Sequence, residues 1–577
     1  MSVTSNVEFW EGAEGIDTAT YSDEDANILN DYVTNIDRNI FGWKIYGAFM
    51  PEQAGALLSR YSRTSFTGRE LFLKEFYPNK NRGREFFESW LVDYGDDSIQ
   101  EMAGGIPASC EFISNVAAKH LEDNRFGSFI EKSTRYVSFD KKLSNGEYMY
   151  YKDREIMDSR YADEYVQLMR GLFDSYVNHT EEMASYLKEV NPFEEQKFRI
   201  GSAVVKPTEL SNNMEEEYGL SGADLEKAYG NAIKANALDF MRDYLPMSTL
   251  THVGINANAR VYEGMINKML ASPLGECRWI ANRLHGELSK MVPSLVKRTK
   301  EKHGMEHQEY LSNSERNTIA AIKDAKIIGP EPRKRGSGGK VDILDYTGKD
   351  TLNSDKVAVA TACADLLFTN DAAESYDAAY KTAMTNDEKI NEGILSAYIG
   401  NRGNRRHRPG RALEGIRYKL GFTGRIGIYR DIQRHRVGTQ RRTEFTTNFG
   451  YNIRKEYETI GIADDYHAKM ARVIELHDKI KEKIGAQAQY VVTFGFDIKW
   501  TYELNARQMF HMLELRSAPG GHPDYRALMQ DAYVKLQGIH PSIAKHMKFM
   551  DMSHTVLGRL NSEIRIAQKK NALQGRS

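Results

Sequence analysis

Cysteine is scarce in this chain, with only Cys110, Cys277 and Cys363 among 577 residues and no CxxC spacing. That excludes a disulfide framework and a thiolate zinc site, and it suits a reducing cytoplasm. Apolar runs of about 18 residues are also lacking, so no membrane span is expected. The N-terminal MSVTSNVEFWEGAEG is acidic and has no apolar core, unlike a signal peptide. We therefore expect a cytoplasmic protein without a resident metal.

A net excess of one charge is lacking too, because 78 Lys and Arg face 80 Asp and Glu. A dedicated nucleic-acid protein is more often basic overall. The apolar content of 41% and charged content of 27% are ordinary for a globular protein. At about 150 residues per domain, the length predicts several domains.

Positive charge is instead concentrated locally. Between Arg402 and Arg442 stand thirteen Lys and Arg against two acids, Glu414 and Asp431. Guanidinium forks fit phosphate oxygens two at a time. The segment IGIYRDIQRH places Ile428, Ile432 and His435 at helical spacing, which favours a half-buried helix ending in a pocket wall. The alternative is a solvated basic face.

A second candidate segment is FGSFIEKSTRY, residues 126–136. On an extended chain its Glu131, Ser133 and Arg135 point to one side, since strand side chains alternate. A carboxylate, a hydroxyl and a guanidinium on one face could hold a sugar phosphate. They could equally form an exposed strand edge.

Hydrophobic periodicity predicts a helix-rich chain. The predicted helices cover residues 23–39, 52–61, 85–94, 114–124, 158–190, 224–244, 273–296, 387–399, 467–484 and 522–538. A strand is predicted for GIRYKLGFTG, and a polar insertion for 191–223. The predicted divisions are an N-terminal arm (1–24), a first domain (25–300), a polar linker around EPRKRGSGGK (301–356), a second domain (357–560) and a C-terminal tail (561–577).

The two predicted domains match each other when they are laid in register. TLTHVGINANARVYEGMINKM (249–269) aligns with FDIKWTYELNARQMFHMLELR (496–516). Asn258 and Asn505 both begin an Asn-Ala-Arg triplet at the same internal position. Upstream, EDNRFGSFIEKSTRY corresponds to QRHRVGTQRRTEFTT. The sequence therefore predicts an internal duplication.

These residues resemble the flavin-dependent thymidylate synthases, whose signature is Arg-His-Arg, seven residues, then a serine in a segment close to NELSGRY. Arg434-His435-Arg436 supplies the first part, and IEKSTRY, with Ser133 and Arg135, supplies the second. The resemblance covers roughly 85–300 and 390–550. It implies an α+β fold made of two tandem copies of a helix-rich domain, each with a small antiparallel sheet.

The resemblance implies that each half keeps what the other has lost. The first half keeps the cofactor-contacting Ser98, Glu101, Glu131 and Asn258, with Ser133, Arg135 and Arg242 for the nucleotide. It has Asp123-Asn124-Arg125 in place of Arg-His-Arg, and Met269 in place of the arginine that polarises the pyrimidine. The second half keeps Glu414, Arg434, His435, Arg436, Asn505 and that arginine, Arg516. It has Glu444 in place of the serine and Gln489 in place of Arg242.

One composite site per chain is the expectation that follows, with Arg516 and Ser133 as the catalytic residues. Arg135, Arg242 and Arg434 would bind the substrate, Arg434 serving the cofactor as well. The reciprocal site would be inactive. Both halves depart from the family's nucleotide-binding glutamine, with His120 in the first half and Asp431 in the second.

The resemblance implies FAD as cofactor, NADPH as hydride source, methylenetetrahydrofolate as carbon donor and dUMP as substrate. Methylation at C5 of uracil otherwise needs a thiol, and no cysteine here lies in a nucleophile motif. A homodimer would be equivalent to the family tetramer. The alternatives are another flavin-dependent uridylate C5-modifying enzyme, a non-enzymatic nucleic-acid binder using residues 402–442, and a degenerate structural protein that assembles but does no chemistry.

Overall fold

Two four-stranded antiparallel sheets organise the chain, one in each half. This computed structural model describes residues 6–7, 16–17, 21–44, 51–87, 105–200, 203–210, 218–291, 296–325, 336 and 338–574. The strands are β1 Asn6–Val7, β2 Ile16–Asp17, β3 Ile40–Gly42, β4 Ile106–Ser114, β5 Ser128–Glu131, β6 Phe198–Ile200, β7 Ala203–Val205, β8 Leu250–Ala257, β9 Lys340–Tyr346, β10 Arg417–Arg425, β11 Thr439–Arg442 and β12 Asp497–Asn505.

Helices pack around both sheets. Those of the first half and the junction are α1 Asp23–Tyr32, α2 Pro51–Tyr61, α3 Gly68–Leu71, α4 Arg82–Phe87, α5 Asn115–Leu121, α6 Arg154–Met157, α7 Ala162–Val190, α8 Gly222–Met241, α9 Ala259–Leu270, α10 Gly275–Met291 and α11 Lys302–Asp324. Those of the second half are α12 Ser354–Thr369, α13 Tyr376–Thr385, α14 Glu388–Ile399, α15 Ile426–Ile432, α16 Lys455–Thr459, α17 Ala463–Lys483, α18 Ala506–Arg516, α19 Pro523–Ile539, α20 Pro541–Ala544 and α21 Leu560–Gln574.

Most helix ends lie within a few residues of their predicted positions. The largest difference is α1, which Ser22 caps as predicted but which ends at Tyr32 rather than near Asn39. Val33 leaves the helix to bridge Trp43, and the Asn35 side chain accepts the amides of the next turn. The helix predicted over 85–94 is described only as α4, because residues beyond Phe87 lie outside the described part of the chain.

The duplication is confirmed by the strand order. The first sheet runs β3-β4-β8-β5 and the second β9-β10-β12-β11, so each strand has a counterpart in the same place. In each half the third strand leads into a helix that an asparagine caps. Asn258 accepts the amide of Val261, and Asn505 that of Gln508. The aligned Asn-Ala-Arg triplets are therefore equivalent strand-to-helix junctions.

The halves pack against each other through equivalent backbone segments. The amide of Met247 donates to Val492 O at 2.7 Å, and that of Phe494 donates to Leu245 O at 3.0 Å. Pro246 and Thr493 face each other between these bonds. A contact in which the same segment of both copies pairs with itself is what an isologous dimer would form, here within one chain. One hydrophobic core runs through both halves.

The segment predicted as a linker, 301–356, contains two regular elements. Helix α11 is largely exposed, and its Gln308 bonds to Asn267 on α9. Strand β9 is an edge strand of the second sheet, antiparallel to β10. The insertion 191–223 contributes the hairpin β6–β7. Across the described residues no helix combines the length and apolarity that crossing a bilayer requires.

Candidate functional site

Four arginines, two from each half, surround the carboxylate of Asp431 on α15. They are Arg135, Arg242, Arg434 and Arg516. Burial alone would raise the pKa of Asp431, but these guanidiniums outweigh burial and hold it well below its usual value. A long ion pair joins Arg242 Nη2 and Asp431 Oδ2 at 3.9 Å. The four predicted arginines therefore meet in one place.

Tyr525 on α19 connects the two halves at this place. The guanidinium carbon of Arg135 lies 5.7 Å from its ring centroid, and that of Arg516 lies 5.6 Å from the same centroid. The ring is 4% exposed. The chain segment carrying Ser133 and Arg135 is therefore brought next to Arg516 within one chain.

A second carboxylate, Asp239 near the end of α8, fixes Arg135. Arg135 donates through Nε at 2.8 Å and through Nη2 at 3.0 Å. Arg559 donates to the same oxygen of Asp239 as Arg135 Nη2 does. Burial opposes ionisation of Asp239, but Arg135, Arg559, His522 and Arg242 keep its pKa far below the usual value. Asp239 is thus an ionised bridge between two arginines.

Arg242 is buried, and its ion pair with Asp431 is long, at 3.9 Å. It is 3% exposed, and its Nη2 donates to Gly427 O at 2.9 Å. Its Nε makes no hydrogen bond among the described residues. Burial is the main cause of the lowered pKa of Arg242, and Arg135 and Arg430 add to it. A buried guanidinium in this state favours an anionic ligand.

His435 holds Arg516 in position. Arg516 Nε donates to His435 Nε2 at 2.8 Å, so that nitrogen is unprotonated. Burial, Arg516, His511 and Arg436 together keep the pKa of His435 well below 6.5, and the ring is neutral. Its proton then lies on Nδ1, 3.2 Å from the side-chain amide of Gln508. This tautomer requires Gln508 to present its oxygen there.

A cavity of about 210 Å³ lies between Arg434-His435-Arg436 and its first-half counterpart, Asp123-Asn124-Arg125. Its lining comes from both halves: Glu122, Asp123, Arg125, Lys268, Gln433, His435, Arg436, Gly438, Thr439 and Gln440. Arg436 lies over the ring of Phe129 at 5.2 Å. Three cations, Arg125, Lys268 and Arg436, line the cavity together with the carboxyl groups of Glu122 and Asp123.

The expectation of one extended face for Glu131, Ser133 and Arg135 is wrong, because β5 ends at Glu131. Ser133 lies in a turn, where its hydroxyl accepts the amide of Arg135 at 3.2 Å. Glu131 is 1% exposed and is paired with Arg430 at 2.8 Å and Lys119 at 2.9 Å. Glu131 therefore forms ion pairs with two buried cations and exposes no surface that a cofactor could contact.

Two other predicted cofactor residues lie at strand-to-helix junctions. Asn258 and Asn505 cap α9 and α18 through their side-chain oxygens. Glu414 pairs with Arg507 at 3.1 Å and is one-third exposed. Ser98 and Glu101 lie outside the described residues.

The basic run 402–442 does not form one solvated face. Arg402 pairs with Glu514, Arg425 with Asp524 at 2.7 Å, and Arg430 with Glu131, and all three are at most 6% exposed. Ile428 and Ile432 are buried, as their spacing predicts. The buried arginines of this stretch are therefore engaged in ion pairs inside the protein.

The reciprocal position is built differently. His120 is only partly exposed, and desolvation together with the nearby Arg442 lowers its pKa to about 3. Met269 is 2% exposed, and Gln489 accepts the amide of Phe445. Among the described residues, Arg442 is the one arginine that acts on His120 and Asp123, so this position has no guanidinium cluster like that around Asp431.

Three residues of the site were not predicted from the sequence: Asp239, Tyr525 and Arg559. Asp239 stands three residues before Arg242, one helical turn away, which is a usable signal for a partner. Arg559 lies at the edge of the predicted tail, and no sequence pattern marks it.

The fold and the site define a protein with a duplicated α+β domain, in which both halves contribute arginines to one site. The family model described as "Thymidylate synthase complementing protein" matches residues 49–294 and 344–542. The chain therefore belongs to that family, with two copies of its domain.

Three curated relatives extend over nearly the whole chain, and each is named only as a UPF0159 protein. One from Chlamydia muridarum is 31% identical over 94% of this chain and 98% of its own length. One from Chlamydia pneumoniae is 31% identical over 93% and 96%. One from Thermoplasma acidophilum is 29% identical over 89% and 98%. The duplication is therefore shared by full-length relatives.

Proposed function

We propose that the chain is a flavin-dependent thymidylate synthase that converts dUMP to dTMP, using methylenetetrahydrofolate and NADPH through FAD, at one composite site per chain. The observation that carries the proposal is the meeting of Arg135 and Arg242 from the first half with Arg434 and Arg516 from the second. Family membership supports a thymidylate synthase-like flavoenzyme in general. We also propose a homodimer equivalent to the family tetramer.

The charges at the site favour an anionic substrate. Arg135 and Arg242 both act electrostatically on Asp431, and the Nε of Arg242 makes no hydrogen bond among the described residues. A phosphate oxygen accepting from it would satisfy a buried donor that otherwise costs about 1–3 kcal/mol. Arg516, held through Nε by His435, would direct its terminal nitrogens to the pyrimidine carbonyl. Stabilising charge that develops there is worth about 3 kcal/mol in comparable sites.

The cysteines are consistent with a flavin route. Cys110 and Cys277 are fully buried, and burial raises the pKa of Cys110 to about 12. Neither thiol is available as a nucleophile for C6 of uracil. When bound, reduced FAD supplies the hydride and carries the one-carbon unit, so the protein need only bind, orient and exclude water.

The 210 Å³ cavity fits part of FAD. Arg125, Arg436 and Lys268 would hold its pyrophosphate, since all three line the cavity. The remaining contacts would come from the predicted Ser98 and Glu101 and from a second copy of the chain.

A second candidate is another uridylate C5-modifying flavoenzyme, and Asp431 is the observation that favours it. A carboxylate stands where the resemblance places a glutamine, in contact range of Arg242 at 3.9 Å. A nucleic-acid binder has less support, because Arg402, Arg425 and Arg430 are buried in ion pairs.

The test is Arg516→Ala in the purified holoprotein, with Glu444→Ala as the matched control. Glu444 occupies the serine position of the second half and forms a half-exposed ion pair with Lys481. We expect Arg516→Ala to abolish dTMP formation while the flavin absorbance is retained, and Glu444→Ala to stay within about twofold of wild type. Turnover that survives Arg516→Ala would refute the composite site. A different product in the wild-type reaction would select the second candidate.

A further inference from the structure

Arg559 lies beyond the residues that the family model matches, which end at 542, and yet it reaches the composite site. Its Nη2 donates to Asp239 Oδ2, the oxygen that also accepts from Arg135 Nη2 at 3.0 Å. Its guanidinium carbon lies 5.5 Å from the ring centroid of Tyr136, the residue after Arg135. The C-terminal region therefore contributes a guanidinium directly beside Arg135.

The guanidinium of Arg559 is not fully satisfied. Arg559 is 5% exposed, and its Nη1 makes no hydrogen bond among the described residues. Arg242 Nε, also buried, is in the same condition. Two unpaired donors on separate buried arginines, both close to Asp239, are what an absent anion would leave behind.

The charges around Asp239 and Asp431 leave a positive surplus. Five arginines act on these two carboxylates: Arg135, Arg242, Arg434, Arg516 and Arg559. Arg434 is also balanced by Glu122 and Glu131, which leaves four arginines for two carboxylates. Each buried cation without a counter-ion is costly. A phosphate dianion placed among Arg135, Arg242 and Arg559 would neutralise most of the surplus.

Contacts between the C-terminal helix α21 and the rest of the chain fix the position of Arg559, which directly precedes this helix. Asn561 accepts the amide of Arg199 in the hairpin of the polar insertion at 3.0 Å. Asn571 donates to Gly219 O at 2.7 Å and to Asp224 at 3.0 Å, at the start of α8. Ile564 is fully buried. The insertion and the tail thus support each other, and together they place Arg559 next to Asp239.

We propose that Arg559 is a substrate-binding residue of the composite site, which binds the phosphate of a nucleoside monophosphate together with Arg135 and Arg242. This inference rests on the proposed nucleotide site and adds a residue from outside the matched family domain. The polar insertion then has a role, because its hairpin contacts helix α21, which begins directly after Arg559.

The experiment measures binding, which needs no turnover. Arg559→Met is compared with Arg565→Met, an exposed arginine on α21, six residues further along the chain. The dissociation constants for dUMP and for deoxyuridine are determined by calorimetry on the flavin-loaded protein. We expect Arg559→Met to weaken dUMP binding by about tenfold or more and to leave deoxyuridine unchanged, since only dUMP carries the phosphate. Arg565→Met should match wild type.

Arg559→Lys guards against misfolding, because it keeps a cation beside Asp239. An ammonium lacks the fork needed to bind Asp239 and a phosphate together, so dUMP binding should still weaken several-fold. If both variants discriminate dUMP from deoxyuridine as wild type does, the inference is overturned. It is equally overturned if the loss falls on FAD retention instead, which would assign the anion to the cofactor. If wild type binds dUMP through Arg559 but forms no dTMP, the proposed reaction fails and the inference stands.

Discussion

His435 illustrates how a single proton position can control a site. Its Nε2 accepts from Arg516, so Arg516 keeps its orientation only while His435 is neutral. The prediction that His435 contacts the cofactor is untested, but this nitrogen is already engaged. We infer that His435 positions Arg516, and that Gln508 selects the tautomer from the other side of the ring.

Gln508→Glu should make this control visible as a pH effect. A carboxylate beside Nδ1 stabilises the imidazolium and raises the pKa of His435, which is otherwise held well below 6.5. As pH falls through the raised pKa, Nε2 gains a proton and repels Arg516. The acidic limb of the kcat profile should therefore move up by about one pH unit or more. Gln508→Leu, which adds no charge, should lower kcat without moving the limb. An unmoved limb in Gln508→Glu would contradict the role of His435.

At the scale of elements, α15 depends on a small residue where the halves meet. A Cβ on Gly427 would lie 3.0 Å from Arg242 Nε and 3.2 Å from Arg242 Nη2. Gly427→Ala should therefore push the Arg242 guanidinium by a few tenths of an ångström, although alanine is the better helix former by about 1 kcal/mol. We expect KM for the nucleotide to rise about three- to tenfold at unchanged or higher Tm.

Gly424→Ala is the matched control for Gly427→Ala. The nearest atom to a Cβ there is Ile428 Cδ1 at 3.5 Å, an ordinary contact. Its KM should stay within about twofold of wild type. Equal KM values for the two alanine variants would show that Arg242 does not need its present position.

Elements were largely predictable because their signals are local. The capping residue Ser22 and the alternation in β10 are visible in the sequence and are confirmed by the structure. Asn258 and Asn505 were predicted to contact the cofactor, and the structure shows that they cap α9 and α18. Strand β9 was missed, since an edge strand half exposed to solvent reads as a polar segment. The turn after Glu131 was missed because alternation alone does not mark where a strand ends.

The duplication and the family resemblance made only part of the site predictable. The family resemblance, read across the two halves, selected Arg135, Arg242, Arg434 and Arg516, and all four act on Asp431 in the structure. Asp239, Tyr525 and Arg559 depend on contacts between segments up to 320 residues apart, as with Arg559 and Asp239. No local pattern encodes such a contact.

At the scale of the whole molecule, the two halves have become chemically different where they were once equivalent. At the end of β10 Arg425 pairs with Asp524, whereas at the equivalent end of β4 Ser114 bonds to Glu276. Tyr490 of the second half donates to the same Glu276 at 2.9 Å. One junction is therefore ionic and the other is a buried carboxyl with hydroxyl partners.

This second junction should make stability depend on pH. Burial, with a smaller contribution from Asp153, raises the pKa of Glu276 to about 7. A carboxyl whose folded pKa exceeds its unfolded pKa stabilises the folded state below the unfolded value near 4.3, and that contribution is lost as pH rises through 7. Glu276→Gln cannot ionise, so its Tm relative to wild type should improve by about 2–5 °C between pH 5 and pH 8. Glu309→Gln, which removes an exposed carboxylate on α11, should show no such trend. Parallel Tm curves for Glu276→Gln and wild type from pH 5 to 8 would mean that Glu276 ionises within the interface at no cost, and that its hydroxyl partners already compensate a full charge.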